Sequence, residues 1–280
     1  MRYIRHKMNA GEAIFGSCTH IGNPAMHEEG VAKFGEITRV KPWMHFGDLI
    51  ESILPIDSRR YSQEEHGNDP LFATMDRVNE IFGDSAPMCI GLLTGNHENG
   101  LSRIVGNVTK KLARGLGVPF LTMSCFCDFI FTKGKCRGFF THGGTTFNYV
   151  AGEPERIRIN RQIKLRNYLR RFEADIKGIG HAHRKVIAPQ VMEEKLTIID
   201  GKIKRRPIHV KESWCFAAPA MFKTYDTKHD HGNYGEMKNY DPTDIGWIGV
   251  LFEKDGKIAC IRQYLETGKI KEEVEPMVID

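Results

Sequence analysis

Five short stretches of this 280-residue chain constrain its fold more than anything else in it. In order they read Cys18-Thr19-His20, Gly47-Asp48, Gly95-Asn96-His97-Glu98, His142-Gly143 and Gly180-His181-Ala182-His183. Each carries side chains that bind hard or borderline cations, and each comes after a run that reads as a buried strand. Ala13 to Ser17 leads to Cys18 and His20, Pro42 to Phe46 to Asp48, and Pro87 to Leu93 to Asn96 and His97. Loops delivered in this way from successive strands must converge. In a sheet covered by helices the place for that is beyond the carboxyl ends of the strands.

The segments between the blocks supply the helices. Asp69 to Phe82 has Asp69 as N-cap, Pro70 at the first helical position, Gly83 as stop, and Leu71, Met75, Val78 and Phe82 at helical spacing. Strand–helix alternation predicts a largely parallel sheet in the first half. The second half changes character. Asp128 to Thr132 and Cys136 to Thr141 flank Lys133-Gly134-Lys135, a hairpin signal. A helix capped by Asn160 comes next, with Leu165, Tyr168, Leu169 and Phe172 on one face, and leads into the strand Asp175 to Ile179. Beyond the last block the chain reads as β: Leu196 to Asp200, Ser213 to Ala217, and a closing hairpin of Ile248 to Glu253 and Lys257 to Tyr264 around Asp255-Gly256. Glu272 to Glu275 reads as a frayed acidic tail.

Because the blocks span more than half the chain and must meet, residues 1–280 are expected to form a single domain. A composition of 41% hydrophobic and 27% charged residues is that of a globular protein. The apolar run Met88 to Leu93 is far too short to span a membrane. The basic N-terminus has no apolar run behind it, which argues against a secretory signal. Seven cysteines without disulfide-like spacing suggest reduced thiols and a cytoplasmic setting. A net charge of +5 fits a protein that handles anions but does not diagnose a nucleic-acid binder.

The order of the blocks resembles the calcineurin-like metallophosphoesterase superfamily, whose pattern runs D-x-H, G-D, G-N-H-[ED], H, G-H-x-H. The resemblance extends from about Gly16 to His183, and its overall character is that of phage and bacterial members. It implies an α/β fold, a four-layer α/β/β/α sandwich, and two transition-metal cations (manganese, zinc or iron). Asp48 would bridge them. Cys18, His20 and His183 would complete the first position, and Asn96, His142 and His181 the second. Two adjacent cations neutralise phosphate oxygens and generate hydroxide from water near neutral pH. The glycines before Asp48, Asn96 and His181 let the chain turn sharply off each strand.

One residue departs from the pattern: Cys18 stands where the family has an aspartate. As a thiolate it would favour zinc or iron; the alternative is a buried thiol and a weakened first position. The resemblance makes His97 the general acid for the leaving oxygen, against a merely structural histidine, and Glu98 the residue that orients an imidazole. Arg156 and Arg158, ahead of the expected cap, are candidates for phosphate contact; Lys164, Arg166, Arg170 and Arg171 read as a solvated helix face. In Lys223 to Asp244, His229 and His231 read as surface histidines, and Tyr225, Tyr234 and Tyr240 as a speculative substrate wall.

The function implied is a metal-dependent phosphoesterase acting on a phosphoester substrate, with phosphodiesterase or nuclease action on nucleic acid or nucleotides as first choice. Phosphoprotein phosphatases of the superfamily extend the second block to G-D-x-x-D-R-G. Here it reads Gly47-Asp48-Leu49-Ile50-Glu51-Ser52, without the arginine, which lowers the protein-phosphatase reading and leaves a phosphomonoesterase as the alternative. The rival from another class is a non-catalytic, metal-bound binding or scaffold protein.

Overall fold

The computed structural model describes residues 1–51, 54, 56, 70–147, 152–199, 202–208, 212–225 and 242–279. In chain order its elements are β1 (Arg2–Lys7), β2 (Gly11–Gly16), α1 (Glu28–Thr38), β3 (Trp43–His45), α2 (Pro70–Phe82), β4 (Cys89–Leu92), α3 (Asn96–Val105), α4 (Val108–Leu116), β5 (Ser124–Ile130) and β6 (Lys135–Thr141). They continue with α5 (Pro154–Leu169), β7 (Ile176–Ile179), β8 (Val186–Ala188), β9 (Val191–Ile199), β10 (Lys202–Ile208), β11 (Trp214–Ala217), β12 (Trp247–Phe252), β13 (Ile258–Tyr264), β14 (Ile270–Val274) and β15 (Met277–Ile279).

Successive side chains of a strand point to opposite faces, and β2 is covered on both. Ala13 and Phe15 join one apolar cluster, Ile14 another. The sheet β14-β13-β12-β2-β3-β4 lies against the sheet β1-β5-β6-β7-β11-β8. Phe15 stacks on Phe140 of β6 at 5.2 Å, and the core between the sheets runs through Phe46, Phe129 and Phe216. On its outer face the first sheet buries Ile14, Trp43 and Leu92 against Val31 and Phe34 of α1, Val78 and Phe82 of α2, and Leu112 of α4. The second sheet buries Phe139, Ile179 and Ala217 against Leu165 and Leu169 of α5. The result is the expected α/β/β/α sandwich. A three-stranded sheet β10-β9-β15 adds to it.

Local expectations fail in two places, and one strand was not anticipated. The fifth helix starts at Pro154, so Asn160 lies inside it and Arg156 and Arg158 sit in its first turns. Proline at the first turn sets the start, because its fixed φ suits the helix and its missing N–H is one the helix would leave unpaired. The acidic stretch beginning at Glu272 is not a frayed tail: Ile270–Val274 pairs antiparallel with β13, and Glu273 forms an ion pair with Arg262. Arg2–Lys7, in sequence no more than a basic start, is a parallel edge strand beside β5. Asp69 and the turn Asp200-Gly201 lie outside the described residues.

Candidate metal centre

β2, β3 and β4 run parallel, as do β6 and β7. All five ligand blocks therefore leave strands at the same edge of the sandwich. The backbone there is unusual. Cys18, His20, Asp48, His181 and His183 have φ of 51°, 50°, 52°, 61° and 49°. Among the described non-glycine residues only Thr122 shares this left-handed conformation, which costs roughly 1–2 kcal/mol per residue. Such strain collects where a fold is made to aim side chains. Hydrogen bonds between the loops hold it: Cys18 N–H donates to Gly47 O at 3.0 Å and His20 N–H to Asp48 O at 3.1 Å. Gly95 is required beside this loop pair, since a Cβ there would lie 2.1 Å from Asp48 Oδ1.

Among the described residues the side chains form three groups of possible donors; one is His20, Glu51 and His97, and the other two share Asp48. In the first of these two, one ligand atom each from Cys18, His20, Asp48 and His183 lies within 4.8 Å of the others, and the Nε2 atoms of His20 and His183 are 3.3 Å apart. In the second, Asp48, His142 and His181 meet the same limit, with His142 Nε2 3.1 Å from Asp48 Oδ2. Asn96 Oδ1 joins this group, 2.9 Å from His142 Nε2 and 2.8 Å from His181 Nδ1. All seven sequence-derived ligand candidates thus stand together.

Electrostatics reflect the crowding. Burial works against the Asp48 carboxylate, but the hydrogen bond from His142 and the neighbouring His20 and His97 outweigh it and hold its pKa well below the usual range. Burial, then Asp48, raises the Cys18 thiol well above its ordinary value. Burial, then His20, lowers His183 to about 3. His97 is opposed by burial too, yet a hydrogen bond to Glu51 and the charges of Glu51 and Asp48 raise it to about 9.

Glu98 does not orient an imidazole. Its carboxylate is fully buried and accepts backbone N–H groups from Gly95 at 2.8 Å, Asp48 at 3.1 Å, Leu49 at 2.5 Å and Ile50 at 3.1 Å. It fastens the Asp48 loop to the start of α3, because three residues into a helix a carboxylate faces back over the free amides of the first turn. The residue that touches imidazoles is Glu51, which was not among the sequence candidates. Its Oε2 lies 3.0 Å from His20 Nδ1 and its Oε1 3.3 Å from His97 Nδ1. The signal was present: Glu51 stands at the second acidic position of the G-D-x-x-D-R-G form.

Other candidates are not members of these donor groups. Arg156 and Arg158 are exposed on α5, and Arg158 pairs with Glu155 in its own helix. The other six cysteines are buried. Tyr225 is partly exposed; His229, His231, Tyr234 and Tyr240 lie outside the described residues. No helix among the described residues is long and apolar enough to cross a membrane.

The donors fit cations in kind and in orientation. His142 Nδ1 lies 2.7 Å from Phe46 O and His20 Nδ1 faces Glu51. His142 Nδ1 is thereby hydrogen-bonded and His20 Nδ1 makes an ion-pair contact, and both rings keep Nε2 toward the cluster, as ligating histidines do.

No family model matches the chain, and no curated protein matches it. The solved structures similar to it over most of its length include a predicted phosphoesterase, GAP50 and a metallophosphoesterase. A conserved predicted phosphoesterase from Streptococcus pneumoniae is 12% identical over 96% of this chain and 99% of its own, with a TM-score of 0.37. GAP50, described as the anchor in the inner membrane complex of Plasmodium, is 13% identical over 96% and 90%, with a TM-score of 0.44. A metallophosphoesterase from Sphaerobacter thermophilus is 13% identical over 86% and 83%, with a TM-score of 0.35. In the order of its ligand blocks and in its layered architecture, the chain resembles the calcineurin-like metallophosphoesterase superfamily.

Proposed function

We propose that the chain is a metal-dependent phosphoesterase that cleaves phosphodiesters, with nucleic acid or nucleotides as the substrate class. The observation that carries this reading is the convergence of two donor groups on one buried carboxylate, Asp48. Cys18, His20, Asp48 and His183 would hold one cation, and Asp48, Asn96, His142 and His181 a second. Bound there, a cation pair supplies neutralisation of the phosphate oxygens and acidification of water.

The remaining chemistry belongs to the chain. The His97 side chain is about one-quarter exposed, and its Nε2 lies 4.0 Å from Asp48 Oδ2. Glu51 holds Nδ1, so Nε2 is the atom left to face a substrate, and the same carboxylate favours the protonated imidazole. It would give that proton to the departing oxygen. Asp48 stays ionised and anchors the backbone of His97, whose N–H donates to its Oδ1 at 3.0 Å. Arg156 and Arg158 are proposed as phosphate contacts, Arg158 by exchanging Glu155 for phosphate. The absence of the protein-phosphatase arginine favours the diester.

Turnover of bis(p-nitrophenyl) phosphate and of p-nitrophenyl phosphate with added manganese, zinc or iron tests the reading. Faster cleavage of the diester is expected. Preference for the monoester would move the chain to the phosphomonoesterases. Full metal binding without turnover of either would make it a binding or scaffold protein.

A further inference from the structure

The two donor groups that share Asp48 differ in softness and in access. The first contributes a thiol, two imidazoles and a carboxylate. Cys18 is 0% exposed, His20 2% and Asp48 1%. Phe222 covers this side, its ring centroid 5.2 Å from that of His20 and 6.0 Å from that of His183. The second adds to Asp48 two imidazoles and the neutral amide of Asn96. His183 in the first group and His181 in the second are both half-buried and His142 is fully buried, so it is the exposed Asn96 that opens the second group to solvent.

Geometry separates them further. Bonds of about 2.0–2.3 Å to a tetrahedral zinc give ligand–ligand edges of roughly 3.3–3.8 Å. The separation of 3.3 Å between His20 Nε2 and His183 Nε2 falls on such an edge. Four protein ligands close a tetrahedral position, whereas a site with weaker or fewer ligands keeps room for water or substrate. The direction of the Cys18 side chain is set by the fold. Its N–H donates to Gly47 O, and its carbonyl accepts from Met221 N–H at 3.0 Å. Exchanging a carboxylate for a thiolate keeps the charge and replaces a hard ligand with a soft one, which selects zinc over manganese and magnesium.

Taking the phosphoesterase reading as its basis, we propose that the two positions are chemically unequal. Cys18, His20, Asp48 and His183 form a closed, thiolate-bearing zinc position that does not exchange readily. Asp48, Asn96, His142 and His181 form an open, exchangeable position that accepts a harder ion such as manganese. The first fixes the charge and place of Asp48, and the second is where ion supply controls activity.

The test uses the full chain, loaded with zinc and manganese and dialysed against a chelator, with metals counted by mass spectrometry. One zinc per chain should remain while manganese is lost. Cobalt(II) loaded in place of zinc should give intense sulfur-to-cobalt charge-transfer absorption. Cys18→Ser should abolish that band and release the zinc; Cys18→Asp should lack the band and accept manganese at both positions. A cobalt-loaded wild type without the band, a band that survives in Cys18→Ser, or wild type that loses both ions together would overturn the proposal. Diester turnover is measured separately. Retained zinc with no turnover would fail the phosphoesterase reading and leave the unequal positions standing; turnover without the thiolate band would do the reverse.

Discussion

Glu51 and His97 are paired through one carboxylate oxygen, Oε1, 3.3 Å from Nδ1, while the other oxygen lies 3.0 Å from Nδ1 of His20. One buried side chain thereby sets the orientation of a proposed cation ligand and of a proposed proton donor. Burial opposes the charge on Glu51, and the hydrogen bonds from His20 and His97 overcome it, holding its pKa well below the ordinary value.

Replacing His97 with alanine should leave both cations bound and lower turnover by about 10²–10⁴-fold, the range for loss of one general acid or base. The deficit should shrink for nitrophenolate esters, whose leaving group needs no proton. Metal content and rates on activated and unactivated diesters check this. Loss of a cation in His97→Ala would make the residue a ligand instead.

Glu51→Gln should act through the same imidazole. Turnover on unactivated esters should fall, and the loss should be much smaller in a His97→Ala background, since residues acting as a unit are not additive. A double-mutant cycle measures the coupling. Additive losses would mean that Glu51 works through His20 alone.

The convergence of the ligand blocks was legible because each is a local event: a buried strand ends, and a turn presents a donor. His181 and His183 are two residues apart beside one strand, and their joint arrival at the cluster needs nothing distant. What stayed hidden depends on contacts between loops. Glu98 looks in sequence like the neighbour of His97, yet it binds the amides of Asp48, Leu49 and Ile50, about fifty positions away. The position of Glu51 was marked by the second block, but its imidazole partners appear only once the Asp48 loop is folded against His20 and His97. The strand Ile270–Val274 was invisible for a related reason: an edge strand carries charges, and its pairing with β13 is supplied by its partner rather than by its own pattern.

Glu98→Gln should damage the site without touching a ligand. An amide can accept at only one end, and its NH₂ would face N–H groups where an oxygen now accepts them. Leaving such buried donors unpaired costs about 1–3 kcal/mol each. The variant should melt lower than wild type and bind its cations more weakly, because Asp48 sits on the loop released. Unchanged melting would show that the loop is held by other contacts.

The last prediction concerns pH and a carboxylate remote from the ligand blocks. Asp128 on β5 accepts from Arg137 Nε at 2.7 Å and Nη2 at 3.1 Å, and from the Tyr3 hydroxyl at 3.1 Å, so it ties β6 and β1 to the strand between them. The hydrogen bond from Arg137, opposed by burial and aided by Tyr3, lowers its pKa. A carboxyl depressed in the folded state binds fewer protons there than in the unfolded chain. Its stabilisation is therefore complete above the unfolded value of about 3.9 and fades as pH falls through the lower folded value. Asp128→Asn should reduce the melting temperature at pH 7 by about 2–4 °C, the shift expected for a small loss in a chain of this size. The gap between wild type and variant should narrow steadily below about pH 4. Comparing the two proteins at each pH cancels the titration of every other carboxylate they share. A gap that stays constant from neutral to acid would mean that Asp128 contributes by packing and not by its charge.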